Sequence, residues 1–319
     1  MAPVNILSID GGGIRGLIPA VVLADIERRT DRRIAELFDL IAGTSTGGIL
    51  ACALARPDDD GQPRFAAAEL IELYRTEGPK IFHPDLLKTI ESGGGLTDER
   101  YDDSALNDTL GRYLGDTRLS QTLVDVLVTA YEIEQRKAIF FRSRSARDSA
   151  AQDFTLAAVA RATSAAPTYF EPAQIRDVAG MRSLALIDGG VFAINPSLCA
   201  LAEVTKAGQR DAVTVIASLG TGSHTRPLPY SEVKHWGALA WARPILDVVF
   251  DGVADTTDFE LDQLLPERAY KRLQTELLLA SDDLDDATAS NLTALQQEAD
   301  RLVTERAADL DELCATLTS

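Results

Sequence analysis

Apolar stretches of strand length alternate with helix-like patterns along the first part of the chain. Val4 to Ile9 is followed by a helical pattern from about Leu17 to Arg29, an apolar run from Leu37 to Ala42, and a second helical pattern from about Gly48 to Ala55. This βαβα rhythm predicts a parallel sheet covered by helices. Further short apolar runs at Val124 to Ala130, Ala138 to Phe141, Ser183 to Ile187 and Ala212 to Ser218 end in polar or glycine-bearing turns and extend the same predicted sheet. The stretches 57–63, 91–98 and 222–229 are rich in Gly, Pro, Asp or Ser and read as loops. From Trp236 onward the spacing is helical: Trp236, Leu239, Ala240, Ile245, Leu246, Val249 and Phe250 recur on one stripe, and Leu273, Leu277, Leu292, Leu295, Ala299 and Leu302 continue it. No strand signal stands out there. The expectation is one α/β domain over 1–319, with a core over about 4–225 and a helical C-terminal extension over about 231–319.

Charge narrows the choice of partners. The 49 acidic against 31 basic side chains give a formal charge of -18, which repels nucleic-acid phosphates and anionic lipid head groups alike. Nucleic acid is not expected as a partner, and contact with lipid must come from apolar surface. Cys52, Cys199 and Cys314 lie far apart, without paired ligand spacing, so no metal site is expected and a reducing compartment fits. With the first strand beginning at Val4 and no leader-like pattern ahead of it, a cytoplasmic location is expected.

Two motifs carry chemistry. Gly43-x-Ser45-x-Gly47 sits between an apolar strand and an apolar helix, the setting of a nucleophile elbow. Glycines flank such a serine because a sharp strand-to-helix turn leaves little room for side chains. Asp10-Gly11-Gly12-Gly13-Ile14-Arg15-Gly16 follows the first strand and opens the first helix, so its backbone N–H groups form a nest suited to an anion. In acyl transfer that anion is the tetrahedral oxyanion. Arg15 would hold the loop or add positive charge. The same loop matches G-x-G-x-x-G through Gly11, Gly13 and Gly16, so a dinucleotide-binding protein is the rival reading. Against it, the second strand ends in Gly-Thr-Ser rather than an acidic residue, and Asp10 would repel a pyrophosphate.

A serine hydroxyl needs a proton acceptor. Of the three histidines, His83 precedes any second carboxylate and breaks the order serine, acid, histidine. His224 fits that order, and His235 opens a helix beside Trp236. The alternative is a carboxylate acting directly. Asp188-Gly189-Gly190 follows the strand Leu184 to Ile187, and Asp10-Gly11-Gly12 has the same local form, so spacing alone leaves both aspartates open.

Taken together, Asp-Gly-Gly-Gly-x-Arg-Gly at 10–16, Gly-Thr-Ser-Thr-Gly at 43–47 and Asp-Gly-Gly at 188–190 resemble the patatin-like phospholipase family, as do 160–170 (Ala-Arg-Ala-Thr-Ser-Ala-Ala-Pro-Thr-Tyr-Phe) and 218–222. The resemblance spans roughly 4–280. It implies a three-layer α/β/α fold with a mainly parallel central sheet and a catalytic dyad of Ser45 and Asp188. Gly11, Gly12 and Gly13 would form the oxyanion hole, with Arg15, Gly43, Gly47, Gly189 and Gly190 in support and Asp10 shaping the turn. It further implies a phospholipid or other acyl-lipid substrate, no metal or other cofactor, and transient contact with a membrane from the cytoplasmic side. Compact bacterial members of the family are the nearest in form. Some of these degrade membranes in anti-phage systems, which extends the expectation to a cyclic-nucleotide activator and a homo-oligomer. Apolar surface for lipid entry is expected at Ile81, Phe82, Leu86, Leu87 and the run from Trp236 to Phe250, with Gly93 to Gly95 as a lid. A small-ester esterase and a storage or binding protein without turnover are the alternatives. The presence of Ser45, Asp188 and the glycines that aim them speaks against the second.

Overall fold

The computed structural model describes residues 3–83, 101–223, 226–241 and 244–319. The expectations placed on Leu86, Leu87, Gly93 to Gly95 and His224 lie outside these. Among the described residues, eight strands form one sheet: β1 (Val4–Ile9), β2 (Leu40–Gly43), β3 (Asp125–Glu132), β4 (Lys137–Arg142), β5 (Ala173–Arg176), β6 (Ser183–Asp188), β7 (Val213–Leu219) and β8 (Tyr270–Leu273). Their order is β5-β6-β3-β2-β1-β7-β8, with β4 also on β3. The five strands from β3 to β8 run parallel, whereas β4, β5 and β6 pair antiparallel.

The central strands read as unbroken apolar runs because both of their faces are covered. Leu7 and Ile9 of β1 pack into one core with Ile41, Val128 and the helices Leu17–Thr30 and Thr46–Leu54. Val4 and Ile6 point the other way, into a second core with Leu40, Leu127, and Leu201 and Leu261 of the helices Ser197–Lys206 and Pro244–Leu264. Period-two alternation thus sends alternate residues to opposite layers, giving helix, sheet and helix.

Three local expectations are corrected. The C-terminal region is not helical throughout, since Tyr270–Leu273 forms β8 and joins β7 in parallel. With partly buried Lys271 and Arg272 between buried Tyr270 and Leu273, four residues carry too little pattern to announce a strand. Ala173–Arg176 forms β5 for the same reason of length. Leu37 ends the short helix Ile34–Leu37, capped by the Glu36 carboxylate on the Arg33 N–H at 2.7 Å, so β2 begins at Leu40. The helices Ala289–Glu305 and Ala307–Leu317 contribute Leu292, Leu295, Leu302, Leu310 and Leu313 to the first core and so form part of its outer layer.

Candidate active site

The sheet sets the spacing of the site. β2 runs parallel to β3 and ends with Gly43 opposite Val128, while β6 runs antiparallel to β3 and ends with Asp188 opposite Ala130. Because β4 spans Leu127 to Glu132 along one edge of β3, β2 and β6 must share the other edge. Their carboxyl ends therefore face each other across Thr129. Serine and aspartate leave the sheet from this gap.

Beyond Gly43 the chain turns sharply. Ser45 has φ 54 and ψ −124 at the N-cap of the Thr46–Leu54 helix, a conformation that costs about 1–3 kcal/mol for a non-glycine residue. The turn holds because its neighbours are locked. A Cβ on Gly47 would lie 2.1 Å from the Ile9 carbonyl oxygen, and one on Gly43 would lie 2.2 Å from that of Gly47, so only glycine fits at either place. The Thr44 hydroxyl sits 2.6 Å from both the Thr129 hydroxyl and the Ala193 carbonyl oxygen. The Ser45 N–H donates to the Thr163 hydroxyl at 2.8 Å. Ser45 thus presents its hydroxyl at the positive end of a helix.

Asp188 is almost wholly buried, and its Oδ1 accepts the Gly190 N–H at 2.7 Å. Burial pushes its carboxyl up from the ordinary 3.8 to about 7, while hydrogen bonding from the Ser45 side chain and the Gly190 N–H pulls the other way. The Asp188 N–H donates to the Ala165 carbonyl at 2.9 Å. Gly189 packs flat against Thr129.

The glycine loop divides its labour. The Gly11 N–H donates to the Ile194 carbonyl at 3.0 Å, which takes it out of the expected set of oxyanion donors, and the Gly11 carbonyl accepts the Thr221 hydroxyl at 2.8 Å. Gly12 and Gly13 line the cavity that also exposes Ser45 and Asp188. Arg15 is buried behind them with its Nε 3.4 Å from the Gly12 carbonyl. Burial lowers its pKa from the ordinary value, opposed by the carboxylates of Asp247, Asp251 and Asp282.

Asp10, the rival base, points elsewhere. Its carboxylate pairs with Arg272 of β8 at 2.6 Å, and Arg272 also donates to the Ser218 hydroxyl at 2.9 Å. Neither His83 nor His235 lines the cavity around Ser45. Thr163, Thr221 and Arg272 were not legible as site residues. Thr163 and Thr221 lie in the 160–170 and 218–222 stretches, the signals that pointed toward them.

The rest of the cavity is mostly apolar, walled by Ile14, Leu73, Ile81, Phe82, Phe170 and Phe250 among others, with Ser164 also in its lining. Ile81, Phe82 and Phe250 are thus cavity wall, while Ile245, Val248 and Val249 on the Pro244–Leu264 helix are exposed. Among the described residues no helix is long and apolar enough to cross a membrane.

Sequence similarity to known proteins points to one family. A family model described as patatin-like phospholipase matches residues 7–200. Patatin-like protein 2 of Arabidopsis thaliana is 38% identical, covering 98% of this chain and 86% of that protein. Patatin-like protein 4 of Arabidopsis thaliana is 32% identical, with 94% and 83% covered. A protein of Solanum tuberosum named "Probable inactive patatin-3-Kuras 1" is 31% identical, with 94% and 86% covered. Among solved structures, VipD from Legionella pneumophila aligns with a TM-score of 0.40 and 10% identity over 94% of this chain and 67% of that one, too distant to bear on fold or chemistry. On the matched model and these relatives, the chain belongs to the patatin-like phospholipase family.

Proposed function

We propose that this protein hydrolyses fatty-acyl esters of lipids through a two-residue unit of Ser45 and Asp188. The observation that carries the reading is the meeting of these two side chains, from opposed strand ends, in one apolar cavity with Gly12 and Gly13. The Ser45 hydroxyl attacks the ester carbonyl carbon and passes its proton to Asp188. The oxyanion is held by the N–H groups of Gly12 and Gly13, each worth about 3 kcal/mol of barrier if it is well aimed. The proton then moves from Asp188 to the departing glycerol oxygen, leaving an acyl-Ser45 that water hydrolyses by the reverse sequence. A carboxylate is ordinarily a poor base; burial that brings Asp188 to about 7 supports this role without a histidine. The apolar wall suits acyl chains, and exposed Ile245, Val248 and Val249 offer a surface for transient membrane contact.

The test is hydrolysis of a fluorogenic phospholipid and of a short-chain nitrophenyl ester, comparing wild type with Ser45→Ala, Asp188→Asn and His224→Ala. Loss in the first two and retention in the third is the expected result. Loss in His224→Ala replaces the dyad with a triad, and turnover of the nitrophenyl ester alone makes the protein a small-ester esterase. A wild type silent on both substrates points to the non-turnover reading suggested by the name of the Solanum relative.

A further inference from the structure

Between the two residues that tether the dyad lies a third side chain without an assigned task. Thr163 accepts the Ser45 N–H, and the Ala165 carbonyl accepts the Asp188 N–H. Two residues thus hold the backbone N–H groups of Ser45 and Asp188, with Ser164 between them. Ser164 is 8% exposed, its hydroxyl finds no hydrogen-bond partner among the described residues, and it lines the same cavity as Ser45 and Asp188. A buried hydroxyl left without a partner costs about 1–3 kcal/mol, so a serine held there for packing alone would be better replaced by alanine.

We propose that Ser164 is a catalytic residue of the second half-reaction, holding the water that hydrolyses the acyl-enzyme. This rests on the dyad reading above. In that step the water oxygen attacks the acyl carbon on Ser45. One water proton goes to the Asp188 carboxylate, and the other is held by the Ser164 oxygen, which directs the lone pair at the acyl carbon. The tetrahedral intermediate then collapses, Ser45 leaves with the proton from Asp188, and the fatty acid departs. The geometry favours this over a packing role because the residues on either side of Ser164 bind the backbone N–H groups of Ser45 and Asp188, Thr163 by its hydroxyl and Ala165 by its carbonyl. The Ser164 hydroxyl is therefore indexed to both reacting groups, and among the described residues no other fixed partner competes for it.

The experiment uses a nitrophenyl ester and follows both turnover and the mass of the intact protein, for wild type, Ser164→Ala and Ser164→Thr. For an ester with a good leaving group, kcat/KM reports steps through acylation, whereas kcat falls when deacylation slows. Ser164→Ala is expected to keep kcat/KM while kcat and KM fall together by about 10- to 100-fold. An acyl adduct on Ser45 should accumulate after a burst of nitrophenol. The melting temperature should hold or rise, since an unsatisfied polar group is removed. Ser164→Thr, which retains a hydroxyl, should recover kcat. An adduct of equal lifetime in wild type and Ser164→Ala overturns the inference alone. A fall in kcat/KM with kcat/KM-limited turnover and no adduct also overturns it, moving Ser164 to the leaving-group oxygen. Turnover and burst that persist in Ser45→Ala remove the dyad reading and this inference with it.

Discussion

Replacing Asp188 by asparagine should make the protein more stable while slowing its chemistry, the stability gain depending on pH in a definite way. The carboxyl is buried and raised from 3.8 to about 7, so the folded state keeps a proton that the unfolded chain gives up above pH 4. Wherever the folded state binds the extra proton, stability falls as pH rises, at about 1.4 kcal/mol per pH unit. The loss begins near pH 4 and is complete above pH 7. Over that interval it sums to about 4 kcal/mol. Asparagine has nearly the same shape, keeps an oxygen for the Gly190 N–H, and escapes this loss. In urea denaturation the variant and wild type should lie close together at pH 4, and the gap should open in the variant's favour to several kcal/mol by pH 8. Over the same range wild-type kcat/KM should climb with a midpoint near 7 as the base loses its proton, while the variant stays 10²- to 10⁴-fold lower, about the usual worth of a general base. A gap independent of pH, or a variant less stable than wild type at pH 8, would refute the reasoning, since either means that Asp188 is not a buried, raised carboxyl.

Arg272→Met removes the cation beside buried Asp10 and should cost about 3–5 kcal/mol in chemical denaturation, with much of the loss recovered in the Asp10→Asn, Arg272→Met double variant. Thr163→Val orphans the Ser45 N–H and should cost about 1–3 kcal/mol, with hydrolysis of a nitrophenyl ester falling as the elbow loosens. Gly47→Ala forces a Cβ against the Ile9 carbonyl; a loss of about 3 kcal/mol is expected in thermal melting, and an unchanged melting temperature would show the elbow to be looser than its contacts suggest. Single replacements of His83, His224 and His235 by alanine should each leave the rate of ester hydrolysis at its wild-type level in a pH-stat assay.

Much of the architecture was legible because the strands near the middle of the sheet bury both faces. Val4–Ile9 and the runs that became β2, β3 and β7 announce themselves as apolar stretches wherever they are packed. Edge strands are read less easily: β8 has two basic residues in four, because each of its faces meets a charged partner, Arg272 with Asp10 and Lys271 with Glu312. At the site, local motifs revealed the parts that depend on local backbone geometry, namely the elbow at Ser45 and the glycine loop. They did not reveal that the Gly11 N–H is committed to Ile194, nor that Thr163 holds Ser45. Those bonds join residues more than a hundred positions apart, and nothing in a short window of sequence encodes them. The choice between Asp10 and Asp188 was open on the same ground, since the two share a local motif and differ in what β8 brings beside one of them.

The opposed ends of β2 and β6 have a consequence for how this chain tolerates change. The separation of Ser45 from Asp188 is gauged by two peptide units of β3, from Val128 to Ala130, and not by the long stretch of chain between them. Insertions or deletions in the surface segments of that stretch leave the gauge untouched, so the active centre is insulated from length variation in the region that covers it. A slip of β6 by a single residue along β3 does the reverse, turning Asp188 to the opposite side of the sheet without altering one side chain.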